Sequence, residues 1–312
     1  MSEPYISVII PAYNRIQYVK EAINSVLFQT LDRNKYEVIV VTNIDLPEID
    51  RIRIIKTNEK WQGAMVSQAI EEARGEVISL LDDDDLFLPN KLEVVYTVFH
   101  NYQVSFLKNP TINIAEKSGK VWVSPSPKQP VISPPIDEAI RKYGADSNSS
   151  SMSFRKRDLI EYLSYLKQIK LAVDNFIGAI FLFRKTAMIW DKPLSIYRIL
   201  MSSATRNLRS LEDFIRHGKE HTKIILEDYE TILRALEGNK MFERYVNYQK
   251  IIAKFFGNDI KVGIKEVLNA TPHYSSVSRL EILGTYLSSF LPFSIRRAIY
   301  NKIYERQLKR YG

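Results

Sequence analysis

The sequence predicts an α/β protein: a doubly wound mixed sheet with helices on both faces, followed by a C-terminal helical region. Three observations carry this. Over the first hundred residues, apolar runs of strand length alternate with stretches of helical spacing, in the order strand, helix, strand, strand, helix, strand. Residues 77–85 run from Val-Ile-Ser-Leu-Leu straight into Asp82, Asp83, Asp84 and Asp85. An apolar run bounded by turn residues reads as a strand buried on both faces. From Leu208 onward the spacing is that of helices alone.

The elements follow in order. Residues 5–10 (Tyr-Ile-Ser-Val-Ile-Ile) form a first strand, ended by Pro11 and the loop Ala12, Tyr13, Asn14, Arg15. Ile16, Val19, Ala22, Ile23, Val26 and Leu27 give a helix over 16–29. Strands are expected at 37–41 and 52–56, and a helix over 63–74. The aspartate strand comes next, and Pro89 opens a helix reaching about His100. Residues 104–107 and 120–123 read as strands. Five prolines between 125 and 135 mark a loop or extended segment. Residues 147–153 (Ser-Asn-Ser-Ser-Ser-Met-Ser) are either a flexible connector or a row of groups able to hydrogen-bond a sugar. Helices are expected over 157–168 and 174–185, and a strand over 194–199. Beyond them Leu211, Phe214, Ile215, Ile225, Tyr229, Ile232 and Leu236 share one helical face.

Four aspartates cannot stay inside a buried strand, so they emerge together at its carboxyl end. That is where open parallel sheets bind ligands. Like charges this close repel, and a divalent cation relieves them. Mg2+ or Mn2+ takes carboxylate oxygens and completes its shell with substrate phosphates. A merely acidic, solvated turn is the plainer alternative.

Composition narrows the classes. Of 312 residues, 45% are hydrophobic and 26% charged, the balance of a globular chain. There is no cysteine, which removes disulfides, thiolate zinc sites and cysteine nucleophiles. The start, Met-Ser-Glu-Pro-Tyr, lacks the layout of a signal peptide. The longest apolar stretch, 169–183, is broken by Lys170, Asp174 and Asn175. A cytoplasmic protein is expected, peripheral at the inner membrane face. The net charge of +8 suits an anionic partner. Nucleic acid is not expected, because the cations are dispersed and no recognition motif is present.

Three segments resemble family 2 glycosyltransferases, which have a GT-A fold. Ile-Ser-Val-Ile-Ile-Pro-Ala-Tyr-Asn at 6–14 is similar to the family's opening. Leu-Leu-Asp-Asp-Asp-Asp-Leu-Phe-Leu-Pro-Asn-Lys-Leu at 80–92 is similar to its Asp-x-Asp segment. Pro-Leu-Ser-Ile-Tyr-Arg at 193–198 is similar to its closing strand. The resemblance covers roughly residues 5–205. It implies a GT-A catalytic domain over 1–205, with a nucleotide-binding half (1–100) and an acceptor half (101–205), before a helical extension over 206–312. It also implies transfer of a sugar, with inversion, from a nucleoside-diphosphate donor such as a UDP- or GDP-sugar to a glycan or lipid-linked acceptor. Pro11, Ala12 and Tyr13 would line the base pocket, Asp82 and Asp83 would contact the donor, and Asp84 would hold the metal. The family's second strand usually ends in acidic residues that touch the base. Here Thr42, Asn43 and Ile44 follow Val41, and Asp45 arrives late, so Asn43 is the expected base contact, with Thr42 and Asp45 as alternatives. Gln68 stands where the family often has asparagine.

An inverting transfer needs a carboxylate to take the acceptor's proton. The family places this acid at the start of a helix after the metal motif, which points to Asp174 in Leu-Ala-Val-Asp-Asn-Phe-Ile-Gly. A helix cap is the structural alternative, and Asp191 is the second choice. Arg198 is the expected diphosphate contact, ahead of Arg206. His217 and His221 fit a short His-x-x-Glu-His zinc pattern, but no third ligand is evident, so a surface helix is the expectation. The tail, 291–312, sets Ile295, Ile299 and Ile303 four residues apart, with Tyr300, Tyr304 and Leu308 alongside. It carries six cations against Glu305. It reads either as a helix lying on an anionic membrane or as one packed on the protein. Nucleotidyl transfer and a non-catalytic nucleotide-sugar scaffold remain as other functions. No glycine-rich phosphate loop follows the first strand, which weighs against the former.

Overall fold

The computed structural model describes residues 3–13, 16–204, 206–272 and 277–312. Asn14 and Arg15 of the expected first loop lie outside the described residues. The chain divides into two compact units, residues 1–114 with 121–198, and residues 115–120 with 199–312.

The first unit is built on an eight-stranded sheet. β1 (Ile6–Ala12), β2 (Tyr36–Thr42) and β4 (Val77–Leu80) are buried along their whole length, as apolar runs in the middle of a parallel sheet must be. β3 (Ile52–Lys56) is the half-exposed edge. α1 (Ile16–Leu27) buries Val19, Ala22, Ile23 and Val26, the stripe that its spacing predicts, and α2 (Gln62–Glu72) precedes β4. The order β3-β2-β1-β4, all parallel, puts a switch point between β1 and β4.

Pro11 does not end the first strand, which continues to Ala12. In a parallel strand each residue points both its backbone polar groups to one neighbour. The carbonyls of Tyr5 and Ile9 accept from β4 and its extension, so Pro11 also faces that side. The last such bond is Leu81 N to Ile9 O, 3.0 Å, and the donor that proline lacks is not needed beyond it.

Short β5 (Leu86–Phe87) follows the aspartates, and α3 (Lys91–Asn101) follows Pro89. Then come β6 (Phe106–Lys108), β7 (Thr111–Ala115), β8 (Val121–Val123), β9 (Val131–Ile132), α4 (Ile136–Tyr143) and β10 (Met152–Arg155). α5 (Leu163–Leu166), α6 (Val173–Arg184), β11 (Ala187–Ile189) and β12 (Ser195–Ile199) follow. β10 joins β4 antiparallel, and β6, β11 and β9 extend the sheet, making it mixed. β5, β12, β7 and β8 form a second sheet. The expected helix over 157–168 is instead two single 3₁₀ turns and the four-residue α5. The run 147–153 is no flexible connector: Ser149, Ser150, Ser151, Met152 and Ser153 are all buried, in a 3₁₀ turn feeding β10.

The second unit is helical, with β13 (Ser202–Ser203) and β14 (Arg206–Asn207) before α7 (Leu211–Ala235), α8 (Lys240–Phe255), α9 (Ile264–Asn269), α10 (Arg279–Ser288) and α11 (Phe293–Tyr311). Ser210 caps α7 by accepting from Asp213 N, and Asn239 caps α8. Tyr300 is fully buried with Leu208, Phe214 and Phe255, and Ile299, Ile303, Tyr304 and Leu308 pack around them. This corrects the membrane reading of the tail's main apolar face, which lies against its own unit. Aromatic packing holds it there, with Phe256 and Tyr300 stacked at 5.3 Å. Among the described residues no helix is long and apolar enough to cross a membrane.

Candidate active site

β4 delivers the aspartates at the switch point. Two residues beyond the Ile9–Leu80 pair stand Pro11 and Asp82. The chain turns at Asp83 and Asp84, and Asp85 N donates to Asp82 O across the turn at 3.1 Å. Asp83, Asp84 and Asp85 are 2%, 9% and 1% exposed, so the turn is not solvated. Its donors come from elsewhere in the chain. Gln62 Nε2 and Ser149 Oγ donate to the two Asp82 oxygens at 2.7 and 2.6 Å. Ser150 Oγ accepts from Asp82 N at 3.0 Å and donates to Asp85 Oδ2 at 2.6 Å. Arg198 N donates to Asp85 Oδ1 at 2.9 Å. Burial, then the charges of Asp84 and Asp82, hold the Asp85 carboxyl well above the ordinary carboxylate range, against the pull of these donors.

A buried strut backs the turn. Ser195 Oγ donates to Ser150 O at 2.6 Å, and Asn109 Nδ2 donates to Ser195 Oγ at 3.2 Å. The ammonium of Lys91, fully buried, donates to Asn109 Oδ1. Burial, and secondarily Lys108, push Lys91 down to about 7.

Asp174 is the second residue of α6. Ala172 occupies the cap position, so the cap reading of Asp174 does not hold. Its Oδ2 accepts from Asn148 N at 2.7 Å and its Oδ1 from Asn175 N at 2.8 Å. Burial raises its pKa, opposed by those amides and by Lys108. Lys108 Nζ donates to Ser147 O and Ser151 Oγ, and burial lowers it to about 8 despite Asp174 and Asp146. Asn148 has φ +65°, a left-handed backbone uncommon outside glycine. Neither polar atom of its buried side-chain amide has a hydrogen-bond partner. α6 approaches this loop closely: a methyl placed on Gly178 would lie 2.4 Å from Asp146 Cα. Segment 147–151 therefore touches both the aspartate turn, through Ser149 and Ser150, and Asp174, through Asn148.

Of the other candidates, Pro11 and Ala12 are buried at the end of β1, beside Val41 and Thr42, and Tyr13 follows half-buried. Thr42 is buried, and its hydroxyl accepts from Ile44 N at 2.9 Å. Asn43 is exposed, and Asp45 lies in solvent against Lys56. The Arg198 guanidinium pairs with Glu21 and lies 5.4 Å over the Tyr18 ring. Arg206, in the helical unit, stacks on Tyr311, and Asp191 sits in a bend between β11 and β12. Gln68 lines a cleft of about 410 Å³ with Thr57, Asn58 and Ser67. His217 and His221 stack at 5.4 Å on α7, and burial drops His221 to about 4.

The aspartate turn suits one kind of cation. Among the described residues no group of three acids or histidines is placed to cage an ion. Asp82 and Asp85 take the donors above, and Asp83 and Asp84 are the other two buried carboxylates of the turn, with Asp84 the expected metal residue. One or two hard carboxylate oxygens suit Mg2+ or Mn2+ that draws its other ligands from phosphate and water.

Sequence reasoning missed Gln62 and Lys108, and read the run holding Asn148, Ser149 and Ser150 as a connector or a row of sugar-bonding groups, not as partners of the carboxylates. Four adjacent carboxylates demand donors, and the polar run at 147–153 is where hydroxyls are concentrated, but nothing local pairs the two across 67 residues.

Together the mixed sheet, its switch point and the helices on its faces define a GT-A-type fold, with the acidic turn and the α6 carboxylate as its candidate site. Residues 7–164 match the family described as Glycosyl transferase family 2. The chain belongs to that family and is a glycosyltransferase. An uncharacterized glycosyltransferase of Nostoc sp., alr2836, is 25% identical over 95% of this chain and 98% of its own length. The putative glycosyltransferase EpsH of Bacillus subtilis is 24% identical over 78% of this chain and 73% of its own. A Rickettsia felis glycosyltransferase is 35% identical over 100 residues, so this chain spans only 16% of it. Among solved structures, S. aureus TarS 1–349 in complex with UDP-GlcNAc superimposes with a TM-score of 0.57 at 16% identity, covering 96% of this chain and 91% of that one. Mannosyltransferase PcManGT of Pyrobaculum calidifontis, in complex with GDP-Man and Mn2+, gives 0.52 at 14%, covering 96% and 85%. These likenesses establish the fold.

Proposed function

We propose that this glycosyltransferase is metal-dependent and inverting, and moves a sugar from a UDP- or GDP-sugar to a glycan or lipid-linked acceptor at the cytoplasmic face of a membrane. The observation that carries it is the pinned aspartate turn, tied by one segment, 147–151, to a second carboxylate on α6. In this reading residues 1–100 bind the nucleotide and 101–205 the acceptor. Pro11, Ala12 and Tyr13 flank the base, Asn43 reaches its edge, and Asp82 and Asp83 meet the ribose and diphosphate. Arg198 reaches the diphosphate if its guanidinium leaves Glu21; otherwise its amide serves by holding Asp85. A Mg2+ or Mn2+ on Asp84 would offset the charge that builds on the departing diphosphate. Asp174 takes the proton from the acceptor hydroxyl as its oxygen bonds to the anomeric carbon and the bond to the diphosphate breaks on the opposite face. The two amides on Asp174, and the first turn of α6, favour the anion this needs. The structures solved with UDP-GlcNAc and with GDP-Man and Mn2+ support the donor class and the metal.

The test is a panel of UDP- and GDP-sugars with Mg2+ or Mn2+, read as nucleoside diphosphate release. Release that is lost in Asp174→Asn, while donor affinity stays within about twofold, is the expected result, with turnover down by roughly 10²–10⁴. Pyrophosphate release would mean nucleotidyl transfer. Normal turnover by Asp174→Asn would remove it as the base.

A further inference from the structure

α10 carries apolar side chains on two opposite sides. Ile282 points inward, into a small core with Ile251, Val262, Val267 and Ala270, and the Tyr286 hydroxyl donates to Val262 O at 3.2 Å. Leu280, Leu283 and Leu287, spaced i, i+3 and i+7, lie on the other side, 79%, 37% and 57% exposed. Exposed apolar residues continue with Phe290 in the following turn and with Phe293 and Ile295 at the start of α11, all at least half exposed. Single exposed apolar residues are ordinary, but this density of them within sixteen positions marks a contact surface.

The charge around the row says what covers it. Lys254 Nζ sits 4.7 Å over the Phe290 ring, and Arg279 opens α10. Lys302, Arg306 and Arg310 are exposed along α11. Residues 279–312 hold seven lysines and arginines against two glutamates. A second copy seated on the same row would bring two such cationic segments together across a two-fold axis. An apolar ridge edged by cations instead matches the boundary between anionic headgroups and acyl chains. We propose that the ridge Leu280–Ile295 docks the protein on an anionic lipid bilayer, inserting Leu287, Phe290 and Phe293 while the α11 cations meet the headgroups. This goes beyond the proposed reaction and does not depend on it. It also differs from a tail bound through Ile299, Ile303 and Leu308, since those residues are committed to the core of their own unit.

The experiment is sedimentation of the full chain with vesicles of phosphatidylcholine alone or mixed with phosphatidylglycerol. The expected result is pelleting with the mixed vesicles only, weakened by added salt, and reduced at least tenfold in the double variant Leu287→Glu/Phe290→Glu. Both side chains are more than half exposed, and an unchanged thermal melt and unchanged nucleoside diphosphate release would show the variant intact. A second variant, Lys302→Glu/Arg306→Glu, is expected to reduce pelleting without touching the ridge. Equal pelleting of wild type and the ridge variant, or no pelleting of wild type, overturns the proposal. So does light scattering that shows a wild-type dimer turned monomeric by the ridge variant with vesicle binding unaltered.

Discussion

Asp174 is pulled in two directions. Burial raises its pKa, while the Asn148 and Asn175 amides and the Lys108 ammonium lower it. A base must be ionised, so activity rises as pH passes upward through this pKa. Lys108→Met keeps the stem and removes the charge. The Asp174 pKa then climbs further, and the acid limb of kcat/KM is expected to move to higher pH with the donor KM little changed. An unmoved limb would show that Lys108 serves only to hold Ser147 and Ser151. The aspartates were legible in the sequence because four carboxylates have no place inside a buried strand. Ser149 and Ser150 were not, because a hydroxyl that serves a distant carboxylate looks like one that serves water. Asn148 was illegible for a further reason: its φ of +65° belongs to the folded loop and has no mark in the residue type.

At the scale of elements, α6 and the 145–148 loop set where Asp174 stands. Gly178, one turn after Asp174, lets the helix close on Asp146 Cα and Cβ. Gly178→Ala would force them apart. It is expected to cost about 1–3 kcal/mol of stability, as overpacking does, and to lower kcat by roughly tenfold through a misplaced base. Chemical denaturation and steady-state kinetics check both, and wild-type values in each would show that the contact relaxes freely. Elements with long apolar runs, β1, β2, β4, α1 and α7, were legible from periodicity. β5, β9 and β11 have two or three residues, too few to show a period. β7 went unseen for another reason: Thr111 and Asn113 face inward and Ile112 and Ile114 are half-exposed, the reverse of the usual alternation. Thr111 N donates to Ser124 Oγ at 2.8 Å and the Thr111 hydroxyl donates to Asn113 Oδ1 at 2.9 Å, so the buried polar side is satisfied.

For the whole molecule, the doubly wound class and the helical C-terminal region could be anticipated from the sequence, while the face that α11 buries could not, since one amphipathic helix fits a core or a membrane equally well. The matching donor should stabilise the folded chain. At a hundredfold excess over its Kd a ligand adds about 2.7 kcal/mol, or roughly 5–10 °C in Tm for a domain near 200 residues. Chelation should abolish most of that shift, and a shift indifferent to chelator would argue that the diphosphate is held by protein groups alone. The most direct measurement is anomalous diffraction from crystals grown with Mn2+ and UDP or GDP. The account predicts one manganese peak in coordination contact with an Asp84 oxygen, about 2.0–2.3 Å away, and bridging to the diphosphate. A diphosphate bound without manganese at that turn, or manganese held elsewhere, would contradict it.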